Sequence, residues 1–130
     1  MSFADYLEAK LLNHLFSKSA FTAPTVYVGL STADPGDNAA ALAEPSGNSY
    51  ARVATAAGDW STATVGTITN ANAIAFPKAT GSWGTITYAC LFDADTGGHL
   101  LASVALSPSK AIASNDTATF QSSSLTITLD

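Results

Sequence analysis

GSWGTITYACLFDADTGGHLLASVAL, residues 81–106, carries the longest uninterrupted strand pattern in the chain and decides its fold class. Ile86, Tyr88, Cys90 and Phe92 alternate with Thr85, Thr87, Ala89 and Leu91, the period of two that an extended backbone imposes. Asp93-Ala94-Asp95-Thr96-Gly97-Gly98 then offers side chains that bond their own backbone and two glycines that accept positive φ, so a reversal is expected there. Leu100, Ala102, Val104 and Leu106 alternate with Leu101, Ser103 and Ala105 on the way back. The stretch reads as a β-hairpin at the centre of a sheet.

Working outward, residues 2–17 read as a helix, with Phe3, Leu7, Leu11 and Leu15 recurring every four residues and Tyr6, Leu12 and Phe16 widening the stripe. Ser2 is the expected N-cap, with Asp5 at the third helical position and Lys10 and Lys18 late, as the helix dipole favours. Each large apolar side chain on this helix contributes about 1.5–3 kcal/mol when buried, so the stripe calls for a partner surface, either its own sheet or another subunit. Strands are expected at residues 25–31 (TVYVGLS), 50–55, 70–76, 110–113, 117–121 and 125–129, with Pro77 ending the ladder of 70–76 and the last three strands following Pro108. Residues 32–49 hold the turn sequences Asp34-Pro35-Gly36-Asp37 and Pro45-Ser46-Gly47-Asn48 and read as a long surface loop. Short strands between turn signals, with one helix at the start, predict a mainly β fold: an antiparallel β-sandwich or jelly-roll-like barrel with one N-terminal amphipathic helix.

The length of 130 residues predicts a single domain over 1–130, comprising a helix within 1–18 and a β-sandwich over 25–130 that includes the loop 32–49. Cys90 has no cysteine partner and is expected to be a small buried hydrophobe. Charged residues make up only 12% of the chain, about half the usual share, a composition suited to packing against neighbours. The net charge is −5 and the five basic residues, Lys10, Lys18, Arg52, Lys78 and Lys110, are scattered, so nucleic acid is not an expected partner. No apolar run approaches the roughly 18 residues of a membrane span, and Asp5 and Glu8 stand where a secretory leader carries positive charge, so neither membrane insertion nor export is expected.

No catalytic constellation emerges. His14 and His99 lack metal-ligand spacing with Cys90 or with each other. Asp93 and Asp95 before two glycines resemble the start of a calcium loop, but the later bidentate Glu is missing and a plain hairpin turn explains them. Trp60 and Trp83 suit either a sugar-stacking platform or a buried sheet, and the second is commoner. Asp59 and Asp93 are a conceivable glycosidase pair, with nothing else to support them. No enzyme activity, cofactor or metal is expected.

The blocks SFADYLEAKLLNHLF, TVYVGLSTADPG, LAEPSGNSYARV, AIAFPKATGSWGTITYACLFDADTGGHLL and the terminal LTITL resemble, in order and wording, a family of small virion structural proteins of tailed bacteriophages, often labelled tail-fibre-like. That resemblance covers most of the chain and implies a non-enzymatic virion component assembled in the bacterial host cytoplasm. The absence of repeats, heptads or glycine periods speaks against an elongated shaft and favours a compact capsid decoration or cement protein on the head shell. The alternative is a tail-tip or tail-fibre-associated protein involved in host attachment. Expected partners are the major capsid protein or other virion proteins, with a homo-oligomer, a trimer, as the arrangement. The residues expected at such contacts are Phe3, Leu7, Leu11 and Leu15 on the helix and Asp34, Pro35, Leu42, Pro45 and Tyr50 in and beside the loop.

Overall fold

The computed structural model describes residues 2–129, so Met1 and Asp130 of the expected domain lie outside the described residues. The chain order is β1 (Ser2–Phe3), α1 (Asp5–Leu15), β2 (Tyr27–Ser31), β3 (Val53–Ala54), β4 (Thr67–Thr69), β5 (Ile74–Ala75), β6 (Gly84–Phe92), β7 (Leu100–Ile112), β8 (Thr119–Phe120) and β9 (Thr126–Thr128). The hairpin β6–β7 is the centre of a five-stranded antiparallel sheet in the order β1-β7-β6-β2-β3. Two antiparallel ribbons, β4-β9 and β5-β8, complete the β structure, and no closed barrel forms among the described residues.

The main sheet is apolar on both faces. Val28, Leu30, Ile86, Ala89, Leu91 and Leu101 share one core with Ile74, Phe76, Leu125 and Ile127 from in and around the ribbons. Cys90, Phe92 and Leu100 form a second core with Ala4, partly covered by Tyr27, Ala39, Leu42 and Tyr88. Ile86 therefore joins Ala89 and Leu91, not Tyr88, Cys90 and Phe92 as strict alternation predicts. A register irregularity between Ile86 and Tyr88 is the cause, because an inserted residue swaps the faces beyond it. The matching irregularity on β7 lies between Ala105, opposite Tyr88, and Lys110, opposite Ile86. Pro108, which has no N–H to give to a ladder, sits in this bulge, so β7 runs on through it and joins the return arm of the hairpin to the strand expected at 110–113.

Local expectations shift most at the N-terminus. Ser2 and Phe3 pair with Ser103 and Ala102 as a strand, and the helix starts at Asp5 with Ala4 as its N-cap. Ser2 does not cap: its hydroxyl donates to the Asp37 carboxylate (3.2 Å), while the Asp37 carbonyl accepts the first helical amide, Asp5 N–H (3.0 Å). The helix closes with paired bonds from Ser17 N–H to His14 O (3.2 Å) and Lys18 N–H to Asn13 O (2.8 Å), Ser17 standing in the left-handed region at φ 60°. The strands expected at 50–55 and 70–76 shorten to β3 and β5, and β4, unmarked by strong alternation, appears at 67–69.

Asn70 joins the ribbons. Fully buried, it donates from Nδ2 to the carbonyls of Asn72 (2.9 Å) and Gln121 (2.8 Å), and its Oδ1 accepts Leu125 N–H (2.9 Å). All three side-chain bonds go to backbone, so one residue satisfies polar groups that would otherwise be orphaned between β4-β9 and β5-β8.

Candidate interaction surface

The helix has no buried residue. Tyr6 and Leu7 are half-buried and pack on the main core, and Leu11 is half-covered, but Leu12, Leu15 and Phe16 remain 57%, 71% and 66% exposed. Glu8, Leu11, Leu12 and Leu15, at helical spacings of three and four, occupy one face. With Phe3, Thr128 and the exposed Leu129 they border a hollow of about 510 Å³. Phe3 also lines a neighbouring groove of about 430 Å³ whose other walls include Leu7, Phe21, Trp60, Leu91 and Ile127. Phe3 is common to the two hollows, of which the groove is the more apolar. Scattered exposed apolar residues are ordinary on a protein surface, and a stripe of them beside an apolar groove makes this side of the helix the candidate interaction surface.

The helix is held at a fixed angle, which a docking face requires. His99 stacks flat on Tyr6, ring centroids 3.7 Å apart and planes 1° from parallel. Asp93 orients that imidazole: one oxygen accepts His99 N–H (2.6 Å) and the other meets Nδ1 (2.9 Å). Burial pushes the Asp93 carboxyl up, but these bonds from His99 outweigh it and hold it below the usual aspartate range. At the other end His14 Nδ1 accepts Phe21 N–H (3.1 Å), tying the helix terminus to the segment that lines the groove.

The loop 32–49 behaves differently from the free contact arm its composition suggests. Pro35 is fully buried and Leu42 packs on the second core. Tyr50 is half-buried, its ring edge-on to Trp83 at 5.2 Å, and its hydroxyl donates to Glu44 Oε1 (2.7 Å) while accepting Leu30 N–H (3.0 Å). Asp34 is exposed but its carboxylate accepts Gly36 N–H (2.9 Å), and Pro45 is half-buried beside Tyr50 and Arg52. Of the nine residues expected at contacts, Phe3 and Leu7 pack partly on the main core, Leu11 and Leu15 lie on the outer side of the helix, and the loop positions mostly hold the fold together.

What fixes the loop is a clamp that sequence reasoning missed. Arg52 donates Nε and Nη2 to the two oxygens of Glu44 (2.9 and 2.6 Å), and its Nη1 donates to the carbonyls of Ala94 (2.7 Å) and Gly97 (2.9 Å) in the hairpin turn. Its guanidinium lies 3.5 Å from the centroid of Phe92. Gly29 allows the approach, since a Cβ there would stand 2.7 Å from Phe92 Cε2 and 3.1 Å from Glu44 Oε1. Arg52 is the only arginine in a chain poor in charge, and an isolated arginine inside a strand pattern is the signal that could have revealed the clamp.

The remaining chemical candidates have structural roles in this fold. Both Asp93 oxygens are engaged by His99, and among the described residues no three His, Cys, Asp or Glu side chains gather as a metal site needs. Asp59 accepts Ala56 N–H within its own turn (2.9 Å) and Asn72 Nδ2 from the neighbouring segment (3.1 Å), which together hold its carboxyl below the usual range. Trp83 is buried and its indole N–H donates to Asn48 O (2.9 Å), while half-buried Trp60 donates to Thr55 Oγ1 (2.9 Å) and lines the groove. Burial, with the Glu44 charge next in weight, pushes the Cys90 thiol up to about 12, which keeps it protonated and unreactive at neutral pH.

Residues 2–128 match the family described as podophage GP4 fiber I protein gp80. No curated protein matches the chain.

Proposed function

Because this chain belongs to the podophage GP4 fiber I protein gp80 family, a family of phage virion structural proteins, we propose that it is a non-enzymatic component of a tail fibre, seated in the particle through its helix face. The family match favours the fibre-associated alternative over the capsid decoration reading drawn from the lack of shaft repeats. A compact unit is compatible with a fibre when the fibre is built from several such units, or when the unit joins a shaft made elsewhere. The observation that carries the seating is the unpartnered apolar stripe of Leu11, Leu12, Leu15 and Phe16 beside the groove lined by Phe3, Leu7 and Trp60. A rigid helix presenting that stripe supplies the dry contact area on which protein interfaces depend.

Partners on this reading are other virion proteins, and the role is attachment of the particle to its host through the fibre. The non-enzymatic reading draws support from the engagement of the acidic and basic side chains that could do chemistry: Asp93 with His99, Glu44 with Arg52 and Asp59 with its own turn. Immunogold labelling of intact particles and of separated, tail-less heads tests the location. Label on the tail appendages and none on heads is the expected result, whereas dense label on tail-less heads would restore the cement reading.

A further inference from the structure

We infer that α1 and the coil behind it, residues 6–25, form a strap that comes off the rest of the chain as one unit while the sheet stays folded, and that the stack of Tyr6 on His99 is its latch. The inference concerns how the helix is held. It goes beyond the seating reading and stands whether or not the outer side of the helix meets another protein.

Hydrogen bonds fix the strap at its two ends. Ala4 N–H donates to Leu101 O (2.8 Å) and Asp5 N–H to Asp37 O (3.0 Å) at the front. The Val26 carbonyl accepts Thr55 N–H (3.0 Å) and the Thr55 hydroxyl (2.7 Å) at the back. Between these anchors, apart from the first turn of the helix itself, no hydrogen bond or ion pair among the described residues joins 6–25 to the rest of the chain. The polar contacts of the segment are its own: Lys18 and Ser19 N–H to Asn13 O (2.8 and 3.2 Å), Phe21 N–H to His14 Nδ1 (3.1 Å), and Lys10 Nζ 5.4 Å from the centroid of the Tyr6 ring. The strap can therefore leave without stranding a buried donor or acceptor on either side, so the penalty that usually resists local opening is absent.

The apolar contacts that remain are loosely fitted. No residue of α1 is buried. The groove of about 430 Å³ lies between strap and sheet, lined by Leu7, Phe21 and Pro24 of the first and by Trp60, Leu91 and Ile127 of the remainder. Side chains that face each other across a hollow forgo the contacts that a close-packed core supplies. Of α1, Tyr6 and Leu7 pack on the main core, and Tyr6 also stacks on His99, whose ring Asp93 holds at the end of the hairpin turn. The latch thus ties the strap to the central hairpin of the sheet. Once off, a helix of 11 residues is marginal in water, so opening exposes its amides to exchange.

Hydrogen exchange of the full chain, followed residue by residue at low urea concentrations, tests the strap. The amides of α1 should share one opening equilibrium, exchange at least about tenfold faster than those of β2 and β6 after correction for intrinsic rates, and respond less steeply to urea. Ile74→Val, a mild change in the core away from the groove, should speed exchange in β2 and β6 about 2- to 12-fold and leave α1 unchanged, because strap opening keeps the sheet intact. His99→Ala, at an exposed ring, should speed exchange in α1 about 2- to 12-fold. Exchange of α1 that follows Ile74→Val to the same extent as β2 and β6 would show that the helix opens only with the whole fold and would overturn the inference. Helix amides with unrelated opening equilibria overturn the single unit, and α1 exchange indifferent to His99→Ala overturns the latch.

Discussion

Replacing Arg52 with alanine should destabilise the protein by about 3–5 kcal/mol, the usual cost of removing one partner from a buried, hydrogen-bonded ion pair. The guanidinium is 5% exposed and the Glu44 carboxylate 20%, so the loss leaves a carboxylate largely shielded from water with only the Tyr50 hydroxyl as a donor. The carbonyls of Ala94 and Gly97 belong to an open turn and can be rehydrated, so they add little. The Phe92 face loses its cation, for about 0.5–2 kcal/mol already contained within that range. Arg52→Lys keeps the charge but not the two-pronged contact and should fall between the two. Urea unfolding followed by tryptophan fluorescence measures these differences. A double variant, Arg52→Met with Glu44→Leu, should recover much of the stability, because no unpaired charge remains buried. A loss below about 1 kcal/mol for Arg52→Ala would refute the clamp and class the pair with exposed salt bridges.

Asn70→Ala should cost about 3 kcal/mol or more in the same assay, since Leu125 N–H and the carbonyls of Asn72 and Gln121 are left without their partner, and Asn70→Asp should cost more by aiming an acceptor at two carbonyls. Ser17→Gly should stabilise the fold by about 0.5–1 kcal/mol, read as a higher thermal midpoint, because Ser17 holds φ 60° at the helix end. Asp93→Asn should be less stable than the native chain at neutral pH. Its native carboxyl titrates below the usual aspartate range when folded, so the stabilisation is present above its unfolded value and disappears as pH falls through the folded one. Unfolding curves of the two proteins should therefore converge in acid, and a gap that persists there contradicts the role given to the carboxylate.

The strongest local signals survived folding, and non-local contacts set the rest. The strand signal of 85–92, the Asp93–Gly98 turn and the leucine spacing of the helix are written into neighbouring residues, and they appear in the structure as β6, a reversal and α1, although the alternation of β6 is interrupted between Ile86 and Tyr88. Ser2 looked like a cap because capping is read three residues ahead, but pairing with Ser103 a hundred residues on took the strand conformation instead. The segments before and after Pro108 read as two strands, and only the opposing β6 register shows that they are one strand with the proline in a bulge. The exposed side of the helix was half legible. The apolar stripe is visible in Leu11 and Leu15, but which side of the helix faces the sheet involves Tyr6 stacking against His99, a contact spanning most of the chain. The loop was misread for the same reason: its composition is that of a surface loop, and only the folded chain sets Leu42 against Phe92 and Glu44 against Arg52.

The claim that the α1 face seats this protein in the virion is tested most directly by incorporation. Particles assembled with Leu12→Lys plus Leu15→Lys in place of the native chain, compared with native particles by quantitative mass spectrometry, should lack the variant although it folds and accumulates normally in the host. Normal incorporation of that folded variant would contradict the account.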